Sequence, residues 1–281
     1  MDVATRAPSV PARKVEAGRD HARRAVNDLV SGAKLSRLWL MLGWLDIRQR
    51  YRRAMIGPFW ITISMTIMVG ALGVLYASLF KMDVNTFIPF LAAGFAIWFL
   101  ISTTLNEATT IYIQAEGIIR NTSLPISVHI FRLLWRNLIT FAHNAVVMLG
   151  VYAWFQFLPS ANILLVLPGL VLVLLNLTWM SLILGTLCAR FRDAPPIVAN
   201  LLQIAFFITP ILYKSDLLTE RLTALATWNP FFHLVEVVRA PLLGHSPDVA
   251  SYLILLGMTL VGWMLAMVFY GRFRARIAYW L

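Results

Sequence analysis

Asn137 to Ala189 reads NLITFAHNAVVMLGVYAWFQFLPSANILLVLPGLVLVLLNLTWMSLILGTLCA, a run without a single Asp, Glu, Lys or Arg. A helix crosses roughly 30 Å of hydrocarbon with about 20 apolar residues, so this run is about two crossings long. It breaks at Pro159-Ser160-Ala161-Asn162, which gives one span from Asn137 to about Phe157 and another from Ile163 to Leu187. Outward from it lie four more apolar stretches of spanning length: Gly57 to Phe80, Phe87 to Thr110, Ala194 to Tyr213 and Val249 to Gly271. The sequence therefore predicts an all-α polytopic membrane protein with six transmembrane helices.

Composition agrees. Of the 281 residues 59% are hydrophobic and 13% charged, and mean hydropathy is +0.74. A soluble domain carries roughly 25% charged residues. The net charge of +11 gathers in islands beside the spans, Arg6 to Arg53, Arg120 to Arg136, Arg190/Arg192 and Arg272/Arg274/Arg276. Only Lys81, Lys214, Arg221 and Arg239 of the 24 Lys and Arg fall elsewhere. Such islands set orientation by the positive-inside rule, and they account for the charge without a nucleic-acid partner. The expectation is a multi-pass protein of the bacterial inner membrane with both termini in the cytoplasm. Cys188 is the lone cysteine, so neither an internal disulfide nor a CxxC metal site is available.

Residues 1–34 are polar and rich in Ala, Arg and Pro, and read as a disordered basic cytoplasmic tail with no signal peptide. No suitable apolar region follows the pair Arg23-Arg24, which argues against a twin-arginine signal. Residues 35–56 form an amphipathic interface helix: Leu35, Leu38, Trp39, Leu42 and Leu45 recur at helical spacing, and Arg48, Arg50, Arg52 and Arg53 close it. Residues 57–281 are the transmembrane domain.

Between the fifth and sixth spans, Lys214 to Asp248 is too apolar for an ordinary loop. Ser215 or Asp216 suits the start of one short helix running to about Thr227. Asn229 suits the cap of a second, Pro230 to Leu243, with Pro230 in its first turn and Gly244 past its end. Phe231, Phe232, Leu234, Val235, Val237, Val238 and Leu242 leave that second helix apolar on nearly every side. The pair is read as re-entrant helices packed against protein, the alternative being an amphipathic hairpin on the outer surface.

Catalytic chemistry is missing from the pattern. There is no GxxxxGK[ST] phosphate loop, no HExxH, no paired acidic motif and no Ser/His/Asp grouping, so neither a catalytic residue nor a metal ligand set is assigned. Glu107 is the sole acidic residue in a span and lies near its cytoplasmic end beside Asn106, which suits an interfacial position better than a proton relay. His143 and Asn144 sit deeper in the third span and need partners across helices or a polar cavity. Gly73 and Ala77 form a small-xxx-small pair that permits close helix approach.

A set of short motifs falls on the span boundaries: Tyr51-Arg52-Arg53 and Ile56-Gly57-Pro58-Phe59-Trp60 entering the first span, Asn106-Glu107-Ala108 ending the second, and Leu124-Pro125 before the third. Further on come Ala189-Arg190-Phe191-Arg192-Asp193, Thr209-Pro210-Ile211, Asn229-Pro230, Arg239-Ala240-Pro241-Leu242-Leu243-Gly244 and Tyr279-Trp280. In this order the chain, from about residue 35 to 281, resembles the ABC-2 type permeases that export polysaccharides such as O-antigen, capsule and teichoic acid. The resemblance implies a homodimer paired with two copies of a separate ABC ATPase, which holds the ATP and Mg, so that this chain binds no cofactor. It implies a substrate of polyprenyl-pyrophosphate-linked glycan, a lipid-pyrophosphate gate at Arg52 and Arg53, and a glycan channel to which Trp98, Phe99, Phe207, Tyr213, Phe231 and Phe232 are assigned. It also implies a coupling helix in the loop Ile113 to Val128, where Glu116, Ile118, Ile119 and Arg120 meet the ATPase. The alternatives are an ABC-2 permease for a drug or another lipid, and a membrane enzyme acting on polyprenyl-linked sugars.

Overall fold

A computed structural model of the protein describes residues 10–52, 59–156, 160–213 and 227–281, and every regular element among them is a helix. Four are long and apolar enough to cross a membrane: α3 (Phe59–Leu79), α4 (Val84–Gln114), the 3-10 turn Ala161–Leu165 running into α7 (Val166–Arg190), and α10 (Val249–Trp280). Between α4 and α7 lie α5 (Glu116–Asn121) and α6 (Ser127–Trp154). At 28 residues α6 is roughly 40 Å long, but His129, Arg132 and Arg136 in its first turns dilute its apolar character.

The expected fifth span, a helix from Ala194 to Tyr213, is corrected: α8 (Ala194–Ile208) stops after 15 residues, roughly 22 Å, which is short of a crossing. Pro210 is the cause. It disfavours helical geometry in the residue before it, and Thr209 accordingly turns extended at φ −78° and ψ 129°. The second helix of the pair expected between the fifth and sixth spans is present as α9 (Pro230–Leu242), capped by the Asn229 side chain accepting from Phe231 N–H. Gly244 follows with φ 83°, a left-handed geometry that glycine adopts without strain. The first helix of that pair falls on residues 214–226, outside the described residues, as does Arg53.

The N-terminal tail is the second correction. Val10–Lys34 forms helix α1 instead of a disordered segment. Ala25 and Asp28 of α1 are buried, and α1 lies along α6 and α10. Composition alone predicts disorder for so polar a stretch; tertiary hydrogen bonds supply the ordering energy that local apolar content lacks.

Helix α4 is the hub. Two-thirds of its spanning window is buried (67%), against 17% for α3 and 17% for α10. The Gly73 and Ala77 pair does bring α3 close, because a Cβ on Gly73 would lie 2.7 Å from Ile88 of α4. Met65, Val69, Gly73 and Ala77, four residues apart, form the buried stripe of α3. Helix α9 is held as tightly on α7, where a Cβ on Gly169 would lie 2.5 Å from the Val237 carbonyl.

Candidate functional site

The arginine-rich end of the bundle is built on α2 (Ser36–Arg50), which docks on α6. Gly43 admits the approach, since a Cβ there would sit 2.8 Å from the Trp135 ring. Trp39 packs beside Phe131, with ring centroids 5.9 Å apart. That apposition turns Asp46 and Arg50 toward α4 and α6, where a lattice of alternating charge forms. Arg132 is held by both Asp46 oxygens, and Arg136 Nη1 donates to Asp46 at 3.0 Å. The other nitrogen of Arg136 donates to Glu107 at 2.7 Å; Arg50 donates to the second Glu107 oxygen at 2.7 Å, and Asn137 adds a bond at 2.9 Å. Glu107 is the knot between three helices.

Burial works against the charge on Arg50, but its hydrogen bond to Glu107 and the attraction between them outweigh this and raise the guanidinium above its ordinary value. Nearby His129 shows the opposite balance: burial pushes its imidazole down to about 4, with the Arg132 guanidinium adding to the effect against Asp28. His129 is therefore neutral at pH 7. Asp46 and Arg132 were absent from the sequence reading. The available signal was an acidic residue on the interface helix and two arginines four apart on α6.

Helix α5 leaves this end. Its Glu116 and Arg120 pair at 3.2 Å, the i,i+4 contact that the spacing predicts. None of its residues is buried. The four coupling residues divide: Ile118 and Arg120 are exposed and Glu116 is half-buried, whereas Ile119 packs inward on the cluster that contains Ile277 and Leu281. Arg52 is exposed just past α2.

Of the six aromatic residues assigned to a channel, the structure brings together Trp98, Phe99 and Phe231. Trp98 lies 5.6 Å from Phe206 and 5.8 Å from Phe231, and Phe95 lies 5.8 Å from Phe99. A groove of about 290 Å³ between α3, α4 and α8 is lined on this side by Phe95, Trp98, Phe99 and Phe206, with Ser102, Asn106 and Gln203 as its polar groups. Trp98, Ser102 and Asn106 recur every four residues on α4, a spacing that could have revealed this face. Phe207 is exposed and does not line the groove, Tyr213 donates to the Phe207 and Ile208 carbonyls, and Phe232 meets the His233 ring edge to face at a different cavity.

At the opposite end Arg239 of α9 is almost fully buried. Its Nη1 donates to the Pro210 carbonyl at 2.6 Å, its other nitrogens bind Glu236, and its guanidinium lies 4.2 Å from the centroid of Phe90. Asn229 also donates to Thr209 Oγ1 at 2.8 Å. The break that ends α8 is thus clasped twice by α9.

Among the described residues, helices of membrane-spanning length, a charged lattice at one end and an exposed connecting helix beside it make the architecture of a helical membrane protein. The chain belongs to the ABC-2 type transporter family, which matches residues 37–243. It is similar to the O-antigen export system permease protein RfbA of Myxococcus xanthus, with 24% identity over 81% of this chain and 89% of that protein. RfbA of Klebsiella pneumoniae is 25% identical over 68% of this chain and 74% of its own length. The polysialic acid transport protein KpsM of Escherichia coli is 25% identical over 80% of this chain and 89% of its own length.

Proposed function

We propose that this chain is the transmembrane subunit of an ABC exporter that carries a polyprenyl-pyrophosphate-linked polysaccharide out across the bacterial inner membrane. It works as a homodimer with two copies of a separate ATPase that binds ATP and Mg. The observation that carries the reading is α5, a short helix without buried residues, fixed between two membrane helices at the arginine-rich end. The positive-inside rule assigns that end, with both termini, to the cytoplasm, where an ATPase resides. The names of the relatives supply the substrate class.

In this reading six segments cross: the four long helices, α6, and α8 completed by the chain beyond Thr209. Helix α9 is re-entrant and stays at the outer side, where its buried face rests on α4, α7 and α10. The groove containing Trp98, Phe99 and Phe206 faces the glycan, because ring faces follow sugar rings without holding them tightly, and Ser102, Asn106 and Gln203 supply exchangeable hydrogen bonds. Arg52, with Arg53, meets the pyrophosphate at the cytoplasmic entrance, a bidentate match for guanidinium.

The test is the double variant Ile118→Asp with Arg120→Asp, both positions exposed on α5. It reverses charge at the docking surface without touching the inward-facing Ile119. Association with the ATPase is expected to weaken about tenfold or more, with export falling in step and the level of inserted protein unchanged. Copurification of the ATPase at wild-type yield together with normal glycan export would sink the assignment. Retention of a drug or a simple lipid in a deletion strain, in place of a lipid-linked glycan, would keep the coupling and replace the substrate.

A further inference from the structure

The first N–H groups of α6 need acceptors, yet Ile126, which precedes the helix, offers no side-chain cap. The acceptors come from α1. Asp28 Oδ1 accepts from Ile126 N–H at 3.2 Å and Oδ2 from Ser127 N–H at 3.0 Å, while Ser127 Oγ donates back to the Asp28 carbonyl at 2.8 Å. The same carboxylate accepts from Tyr270 of α10 at 2.7 Å and lies 2.9 Å from Arg274 Nε, an ion pair whose N–H is not aimed along a hydrogen bond. The Asp28 side chain is 0% exposed, and three hydrogen bonds and one ion pair surround its carboxylate.

The seat is shaped as well as charged. A Cβ on Gly32 would fall 2.2 Å from Ser127 Oγ, and one on Gly271 would fall 2.7 Å from the His21 carbonyl. Arg274 Nη1 adds a bond to the Arg24 carbonyl at 3.1 Å. The residues capped by Asp28 are the last of the α5 connection. Helix α5 itself touches α10, and its Ile119 packs against the cluster that contains Ile277 and Leu281. The family match covers 37–243, so Asp28, Tyr270 and Arg274 all lie beyond it.

We infer that α1 is a brace and Asp28 its positioning residue: it locks the exit of α5 to the inner ends of α6 and α10, so that a displacement of α5 moves both helices together. The source of the displacement rests on the ATPase reading above, whereas the brace does not. A carboxylate holding donors from two other helices transmits motion because separating a donor from it leaves a buried charge with one fewer partner.

Nitroxide labels at the exposed positions Asn121 and Ala275, introduced as Asn121→Cys and Ala275→Cys in a Cys188→Ala background, report the α5 to α10 distance in the full chain in lipid nanodiscs. The intact brace gives one narrow distance distribution, and Asp28→Asn is expected to broaden or split it. In the complex with the ATPase, the same variant is expected to keep ATP hydrolysis and lose about fivefold or more in glycan exported per ATP. An unchanged narrow distribution overturns the brace. A broadened distribution with unchanged export per ATP overturns its role in transmission. Tyr270→Phe and Arg274→Gln, which each remove one donor, must shift both readouts in the same direction by less, and they decide the matter if Asp28→Asn does not insert. Should no ATPase associate, the distance measurement still judges the brace while the functional reading fails alone.

Discussion

The two ends of the molecule hold their charges differently. At the arginine-rich end Arg50, Glu107, Arg136, Asp46 and Arg132 alternate in sign over three helices, and Glu107, Asp46 and Arg136 each have two charged partners. Side-chain exposure there runs from 8% for Arg136 to 41% for Arg50, so water shares the stabilisation. At the other end one guanidinium, 5% exposed, is tied to a single carboxylate three residues earlier on its own helix, to one carbonyl and to one ring. The lattice is redundant and suits a region that shifts and regains its bonds. The clasp at Arg239 has a single carboxylate partner among the described residues and suits a fixed strut between α8 and α9.

That contrast can be broken by measurement. The largest effect is expected at the strut: Arg239→Met strands the buried Pro210 carbonyl, takes the cation from Glu236, whose side chain is 26% exposed, and should cost about 3 kcal/mol. Thermal unfolding of the purified protein in detergent reads this, and a small loss would mean that α9 is not fixed through Arg239. Next comes Arg136→Gln, expected to cost about 2 kcal/mol by the same assay, because Asp46 keeps Arg132 and Glu107 keeps Arg50. A loss as large as that at Arg239 would show that the lattice is not redundant. The smallest effect is expected for Glu116→Gln on α5, whose ion pair with Arg120 is 39% and 51% exposed. A change within about 0.5 kcal/mol fits an exposed pair. A larger loss would place α5 inside the folded core instead of on a docking surface.

Helix starts repeat the lesson. At the end that holds Arg239, the residues Asp83, Ser160, Asn229 and Asp248 each cap their own helix, accepting from an N–H two residues on. Such caps are written in adjacent residues and can be read there, as in Asn229 with Pro230. At the arginine-rich end α6 is capped from about a hundred residues away by Asp28, and no local pattern records it. The same difference separates what was legible in the candidate site from what was not. The pair Glu116 and Arg120 lies one turn apart in sequence, whereas Asp46 meets Arg132, and Glu107 meets both Arg50 and Arg136, only after three helices pack.

Sequence by itself determined the class of the protein. Long uncharged runs suit a bilayer, and Pro and Gly punctuate their ends, all properties of neighbouring residues. The family followed from motifs at those same boundaries. Tertiary structure alone decided that the polar N-terminal segment is an ordered helix, that the end of α8, broken locally by Pro210, is clasped by α9, and that Ile119 turns inward while Ile118 faces out. The physical reason is common to all three. Each depends on the energy of a contact between distant segments, a carboxylate with donors from two other helices, a guanidinium with a carbonyl of a broken helix, or an isoleucine with the last turn of the chain. Periodicity and propensity carry no record of such partners.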